Sequence, residues 1–179
     1  MKFTLTYDGP LRPDGNARHK MDIRREFHRQ LKELWTHDPL KQLAADAEPE
    51  GANYETIADH AFTAVVHDSY KLRADLDILL LREGAPGSVL TRADIDNQLK
   101  TLFDALTWPQ QTQQVPTDWM PEDDERPLHC LLQDDRHITR LRLETERWLA
   151  APAPQHVRLF IRVQVTKASP TNASVMLGA

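Results

Sequence analysis

Apolar residues recur along this chain with two periods, and each period marks an element. Phe3 to Tyr7 alternates with β-prone residues and reads as a first strand. Pro10 and the run Pro13-Asp14-Gly15-Asn16 form a turn-rich loop. From Lys20 to about Trp35 the residues Ile23, Phe27, Leu31 and Leu34 fall at helical spacing. Phe62 to His67 predicts a strand. So does Leu72 to Arg82, where Leu76, Ile78 and Leu80 point one way and Asp75 and Asp77 the other. After a turn over Gly84 to Gly87, a helix is predicted from Asp94 to Leu106. Its buried stripe is Leu99, Leu102, Phe103 and Leu106, and Asn97, Lys100, Thr101 and Asp104 lie on the adjoining polar face. Leu131-Leu132 and Ile138 to Leu143 suggest a strand interrupted or flanked by Asp134-Asp135. Val157 to Val165 is the clearest strand in the chain. Four or five strands with two main helices predict an α+β domain with a small mixed or antiparallel sheet.

The 179 residues suit one domain. A polar, acidic loop is expected over residues 39–53, an insert over residues 108–127 and a frayed tail after residue 167. No apolar run approaches the length that spans a bilayer, and the amino-terminal residues lack the apolar segment of a signal peptide. The single cysteine, Cys130, fits a reducing cytoplasm. The net charge of -5 argues against broad, non-specific nucleic-acid binding, but it conceals a bias. Arg12, Arg18, Lys20, Arg24, Arg25, Arg29 and Lys32 crowd one stretch, which could contact phosphates or form a solvated helix face.

The chemistry concentrates at Asp94-Ile95-Asp96-Asn97-Gln98-Leu99-Lys100. Acids at a helix start cap it and complement its dipole, which accounts well for one aspartate and less well for two. A second pair, Asp134-Asp135, stands in apolar surroundings, where crowded carboxylates are costly unless a cation holds them. Magnesium takes a few carboxylate oxygens together with waters and a substrate phosphate. Lys100, four residues after Asp96, shares its helix face, either as an ordinary ion pair or as a group that stabilises charge on a reacting phosphate. Asp75 and Asp77 mimic this run, but strand alternation alone places them on a solvent face. His129 and His137 flank the later pair as surface or supporting groups, His137 being a candidate proton donor. Trp108 and Trp119 read as core or interface anchors rather than stacking platforms.

Taken together these motifs resemble the RusA-like Holliday junction resolvases. The resemblance rests on the Asp94-x-Asp96-Asn97-x-x-Lys100 run, on Phe103-Asp104-Ala105-Leu106 closing the same helix, and on the later Asp134-Asp135. It implies a homodimeric, magnesium-dependent endonuclease, with manganese able to substitute, that makes paired nicks in branched DNA. It further implies Asp94, Asp96, Asp135 and Lys100 as catalytic residues, and Asp94, Asp96, Asp134 and Asp135 around the metal. Arg18, Lys20, Arg24 and Arg25 are expected on the DNA. The acidic insert between Asp104 and Asp134 departs from the family's short connection. The rival expectations are a metal nuclease acting on flaps, forks or RNA, and a non-catalytic binding or assembly protein on the same fold.

Overall fold

A computed structural model describes residues 1–42, 54–83, 92–153 and 155–167, without the side chains of Arg92, Ala93 and Asp94. Seven strands and two long helices make up an α+β arrangement among the described residues: β1 (Lys2–Pro10), α1 (Ala17–Leu34), β2 (Tyr54–Ile57), β3 (His60–Val66), β4 (Leu72–Arg82), α2 (Arg92–Leu106), β5 (Leu128–Leu132), β6 (Ile138–Arg147) and β7 (His156–Lys167). They form two sheets, ordered β1-β7-β4-β6 and β2-β3-β5. Both are mixed, because β4 pairs with β6 and β3 pairs with β5 in parallel while the remaining pairs are antiparallel.

β7 lies between β1 and β4, which is why its alternation is so clean. Val157, Leu159, Ile161 and Val163 enter the core, while Arg158, Phe160 and Arg162 face outward. Ile161 stands opposite Leu5 on one side and Ile78 on the other. Across this layer lie Ile23, Phe27 and Leu31 of α1 and Leu102, Ala105 and Leu106 of α2, which join the strands in one cluster. α1 begins where Asn16 accepts a hydrogen bond from the His19 N–H at 2.9 Å, a side-chain cap that satisfies one orphan donor of the first turn.

Three expectations change. β2 carries almost no apolar signal, since Tyr54, Glu55 and Thr56 are exposed, and it exists through its pairing with β3. The connecting Ala58 and Asp59 both have positive φ, at 52° and 63°, a hairpin bend made here without glycine. Asp134-Asp135 does not interrupt one strand but divides β5 from β6, which belong to different sheets. Thr101, expected on the polar face of α2, is buried together with Gln98. The expected turn over Gly84 to Gly87 and the tail after residue 167 lie outside the described residues, as does the loop beyond residue 42. Among the described residues, no helix is long and apolar enough to cross a membrane.

The insert is anchored rather than trailing. Trp108, Val115 and Trp119 are buried in a second cluster with Met21, Phe62, Leu128 and Cys130. Trp119 stacks on Phe62 with ring centroids 6.1 Å apart, so both tryptophans serve as packing anchors. Beside them His28 accepts from the His129 N–H at 2.9 Å through Nδ1, which leaves its Nε2 to donate to the Asp124 carbonyl at 3.1 Å. Burial, with the Lys32 ammonium adding positive charge, holds His129 down to about 4. An unfolded histidine titrates near 6.5, so between those values the unfolded chain takes up a proton that the folded chain refuses. Stability should therefore fall as pH falls through this window, by about 2 kcal/mol from this one residue between pH 7 and pH 5. Urea melts at the two values check it: His129→Gln should remove that slope, and an unchanged slope would assign it to other groups.

Candidate functional site

The first turns of α2 are held by the loop that follows β1. The Gln98 amide donates to the Leu11 carbonyl at 2.9 Å, the Gly15 N–H to the Thr101 hydroxyl at 3.0 Å, and the Asn97 amide to Asp14 at 3.4 Å. Gly15 is required by this approach, because a Cβ there would meet His19 at 2.6 Å and Thr101 at 2.8 Å. The buried side of α2 is thus fixed by Gln98 and Thr101. Asp96 and Lys100 emerge on the exposed side one turn apart, and no ion pair joins them among the described residues. The backbone of Asp94 belongs to the same helix, but its side chain lies outside the described residues.

Asp134 and Asp135 form a tight turn. Asp134 accepts from the Arg136 N–H at 2.9 Å and is half-buried, and Asp135 is exposed, not buried as its apolar neighbours suggested. The turn is bound to the end of β3: the Gln133 N–H donates to the Val66 carbonyl at 2.9 Å, and the Asp68 N–H to the Gln133 side chain at 2.8 Å. Asp68 then binds Arg136 and meets His137 Nε2 at 2.8 Å. His137 is fully buried, so the candidate proton donor sits inside the fold and reaches the surface only through the exposed carboxylate of Asp68. The hydrogen bonds from His137 and Arg136 hold Asp68 below the usual carboxylate range. Asp68 and Gln133 organise this corner, and the sequence singled out neither. Asp68 marks itself only by following a strand end.

The two carboxylate groups are linked through the far end of α2. Thr107 bridges to Leu132, and the Trp108 N–H donates to the Leu132 carbonyl at 3.1 Å. Asp96 lies eleven residues before Thr107, about 16 Å along a helix axis. Among the described residues, no group of three or more histidine, cysteine or acidic side chains stands close enough together to hold a metal ion. The oxygen-only donor set suits a hard divalent cation. The described residues do not assemble it around one point, and the side chain of Asp94 is not among them.

The basic residues of α1 are largely engaged. Arg24 is buried and donates to the Thr107 carbonyl at 2.9 Å and the Asp104 carbonyl at 2.6 Å, so it closes the carboxyl end of α2 instead of facing solvent. Lys20 pairs with Asp104 at 2.6 Å. Arg18 pairs with Asp118, Arg25 with Glu122 and Glu125, and Lys32 with Asp124 at 3.7 Å. The acidic insert therefore lies against the basic helix. Of the four cations expected on DNA, Arg24 is structural and the other three hold carboxylates. A cleft of about 240 Å³ opens beside them, lined by Lys20, Asp104, Thr107, Gln110 and Gln114.

The outer face of the larger sheet carries Asp75 and Asp77 in a depression of about 390 Å³ with Lys2, Arg140 and Arg162. Asp75 lies 3.5 Å from Arg140, in keeping with a charged, water-facing strand surface. No protein-family model matches the chain, and neither a curated protein nor a solved structure matches it.

Proposed function

We propose that this protein is a magnesium-dependent endonuclease acting on four-way or other branched DNA junctions, working as a homodimer. The observation that carries the reading is the Asp94-x-Asp96-Asn97-x-x-Lys100 run at the opening of a helix whose exposed side presents Asp96 and Lys100 one turn apart. Asp94, Asp96 and Asp135 would hold the ion, with Asp134 beside them. Bound magnesium supplies charge neutralisation at the phosphate and a more acidic water. Lys100, with an exposed ammonium, would donate to a non-bridging phosphate oxygen and stabilise charge that grows there. Paired nicks need two copies in register, which a two-fold dimer provides.

The test is cleavage of a labelled synthetic four-way junction beside linear duplex, in magnesium or in EDTA. Paired, magnesium-dependent nicks in the junction alone are expected, and no cleavage of any DNA at any magnesium concentration would sink the reading. A second reading, a non-catalytic binding module, is favoured by one specific observation: the insert's carboxylates occupy Arg18, Arg25 and Lys32. Junction binding that is unchanged in EDTA and never followed by cleavage would select it.

If α1 faces phosphates, the insert competes for its cations. Asp118→Asn with Asp124→Asn should then bind junction DNA about tenfold more tightly at low salt, with a steeper salt dependence. These exposed pairs contribute at most about 1 kcal/mol each to folding, so the melting temperature should scarcely move. Equal affinities in a salt titration of both proteins would place DNA elsewhere.

A further inference from the structure

The two outer strands of the larger sheet are finished differently. On β1 the Gln30 side chain accepts from the Thr6 N–H at 2.9 Å and donates to the Thr6 carbonyl at 2.7 Å, so α1 blocks that edge. On β6 no strand pairs with the outer edge among the described residues. β6 has ten residues without proline or glycine, and its inner-face positions Leu141, Leu143 and Thr145 are uncharged. Leu141 is 43% exposed. An open, regular edge with no proline and no inward-pointing charge is a template for another strand, and its outward charges decide which strand fits.

We propose that β6 is a self-association surface, and that its occupant is the β6 strand of a second copy, antiparallel, across a two-fold axis at Leu143. Backbone parity admits any two-fold axis that passes through a residue of β6, and charge selects Leu143 among them. The Trp148 N–H donates to the Arg82 carbonyl at 2.7 Å, so even-numbered residues of this stretch turn their backbone groups toward β4. Residues 141, 143 and 145 therefore turn theirs to the open edge, where they can form hydrogen-bonded pairs with a partner strand. In a two-fold antiparallel pair, one residue faces its own copy. Centring on Arg142 or Glu144 sets like charges face to face. Centring on Leu141 sets Arg140 against Arg142, and centring on Thr145 sets Glu144 against Glu146. Centring on Leu143 sets Arg142 against Glu144 and Arg140 against Glu146, each twice by symmetry. It also sets Leu143 against its own copy and covers the exposed Leu141 with Thr145.

The charged pairs fall at the non-hydrogen-bonded positions, where opposed side chains lie closest. Arg142 and Glu144 of one chain are only loosely joined, at 3.4 Å and both exposed, so each is available to a partner. The resulting sheet would run through eight strands with β6 and its copy at the centre. This pairing gives the homodimer in the proposed function a surface, and it does not depend on nuclease chemistry.

Sedimentation of the full chain tests it. Wild type should be dimeric, and Arg142→Glu and Glu144→Arg should each weaken the dimer roughly tenfold by opposing like charges. Arg142→Glu combined with Glu144→Arg should restore it, because the pairs are exchanged rather than lost. The two single variants mixed together should form a one-to-one heterodimer tighter than either homodimer, which also shows that each is folded. A wild type that stays monomeric at its highest soluble concentration overturns the proposal, as does a dimer indifferent to Arg142→Glu. Nicking is scored separately: a monomer that nicks junctions refutes the dimer and leaves the nuclease chemistry standing, and a dimer that never nicks refutes only the nuclease reading.

Discussion

Asp96→Asn is expected to abolish magnesium-dependent nicking of a four-way junction, a loss of about a thousandfold or more if the aspartate holds the ion. The fold should be almost indifferent to the change. Asp96 is exposed, and the cost of removing an acid near a helix amino terminus is only about 0.3–1 kcal/mol. Junction binding in EDTA should be unchanged, which separates lost chemistry from lost affinity. Asp135→Asn should behave in the same way. Because the fold places Thr107 and not Asp96 beside Leu132, the pair also asks whether both acids serve one ion. Calorimetry with magnesium alone gives that answer without an activity assay. If they share an ion, either substitution should remove most of the binding, and the double variant should lose little more. Independent, additive losses would assign the acids to separate sites. Wild-type nicking by Asp96→Asn would end the proposed role of this residue.

Arg24→Ala should destabilise the protein by about 3–4 kcal/mol, the range for removing one partner of a buried charged hydrogen-bond set and leaving a cavity. Arg24 is 2% exposed and has no carboxylate partner at hydrogen-bond distance among the described residues. Its guanidinium satisfies the Asp104 and Thr107 carbonyls at the carboxyl end of α2, where the helix dipole is negative. Burial is the main influence on its pKa and lowers it. Arg24→Lys keeps a charge but loses the planar fork that reaches both carbonyls, so about half the loss should remain. Urea denaturation measures both. A cost below about 1 kcal/mol would contradict a structural role. A stable Arg24→Ala protein with weakened DNA binding would return this arginine to the phosphate-binding group expected from sequence.

The elements that could be foreseen are those whose period is written locally. β4 and β7 each bury one regular face, and Ile23, Phe27 and Leu31 of α1 do the same toward the larger sheet, so burial against a core prints its period in the chain. β2 was invisible because three of its four residues stay in water and its pairing is supplied by β3. The candidate acids were legible as residue types at a helix start and before a strand, but their separation was not. It depends on which end of α2 reaches β5.

The sequence by itself determined an α+β chain, its two long helices, the strands of the core, and a carboxylate and lysine run at the opening of α2. Only the tertiary structure decided what the charges do. Arg24 looked like one of several helix-surface cations until α2, eighty residues later, brought its unpaired carbonyls against it. Arg18 and Arg25 looked available until the insert, a hundred residues later, laid its acids on them. The physical reason is the range of the interactions. Hydrophobic periodicity reflects burial against any core, so neighbouring residues suffice to reveal it. A charge is defined by its partner, and here the partners arrive from distant segments through folding.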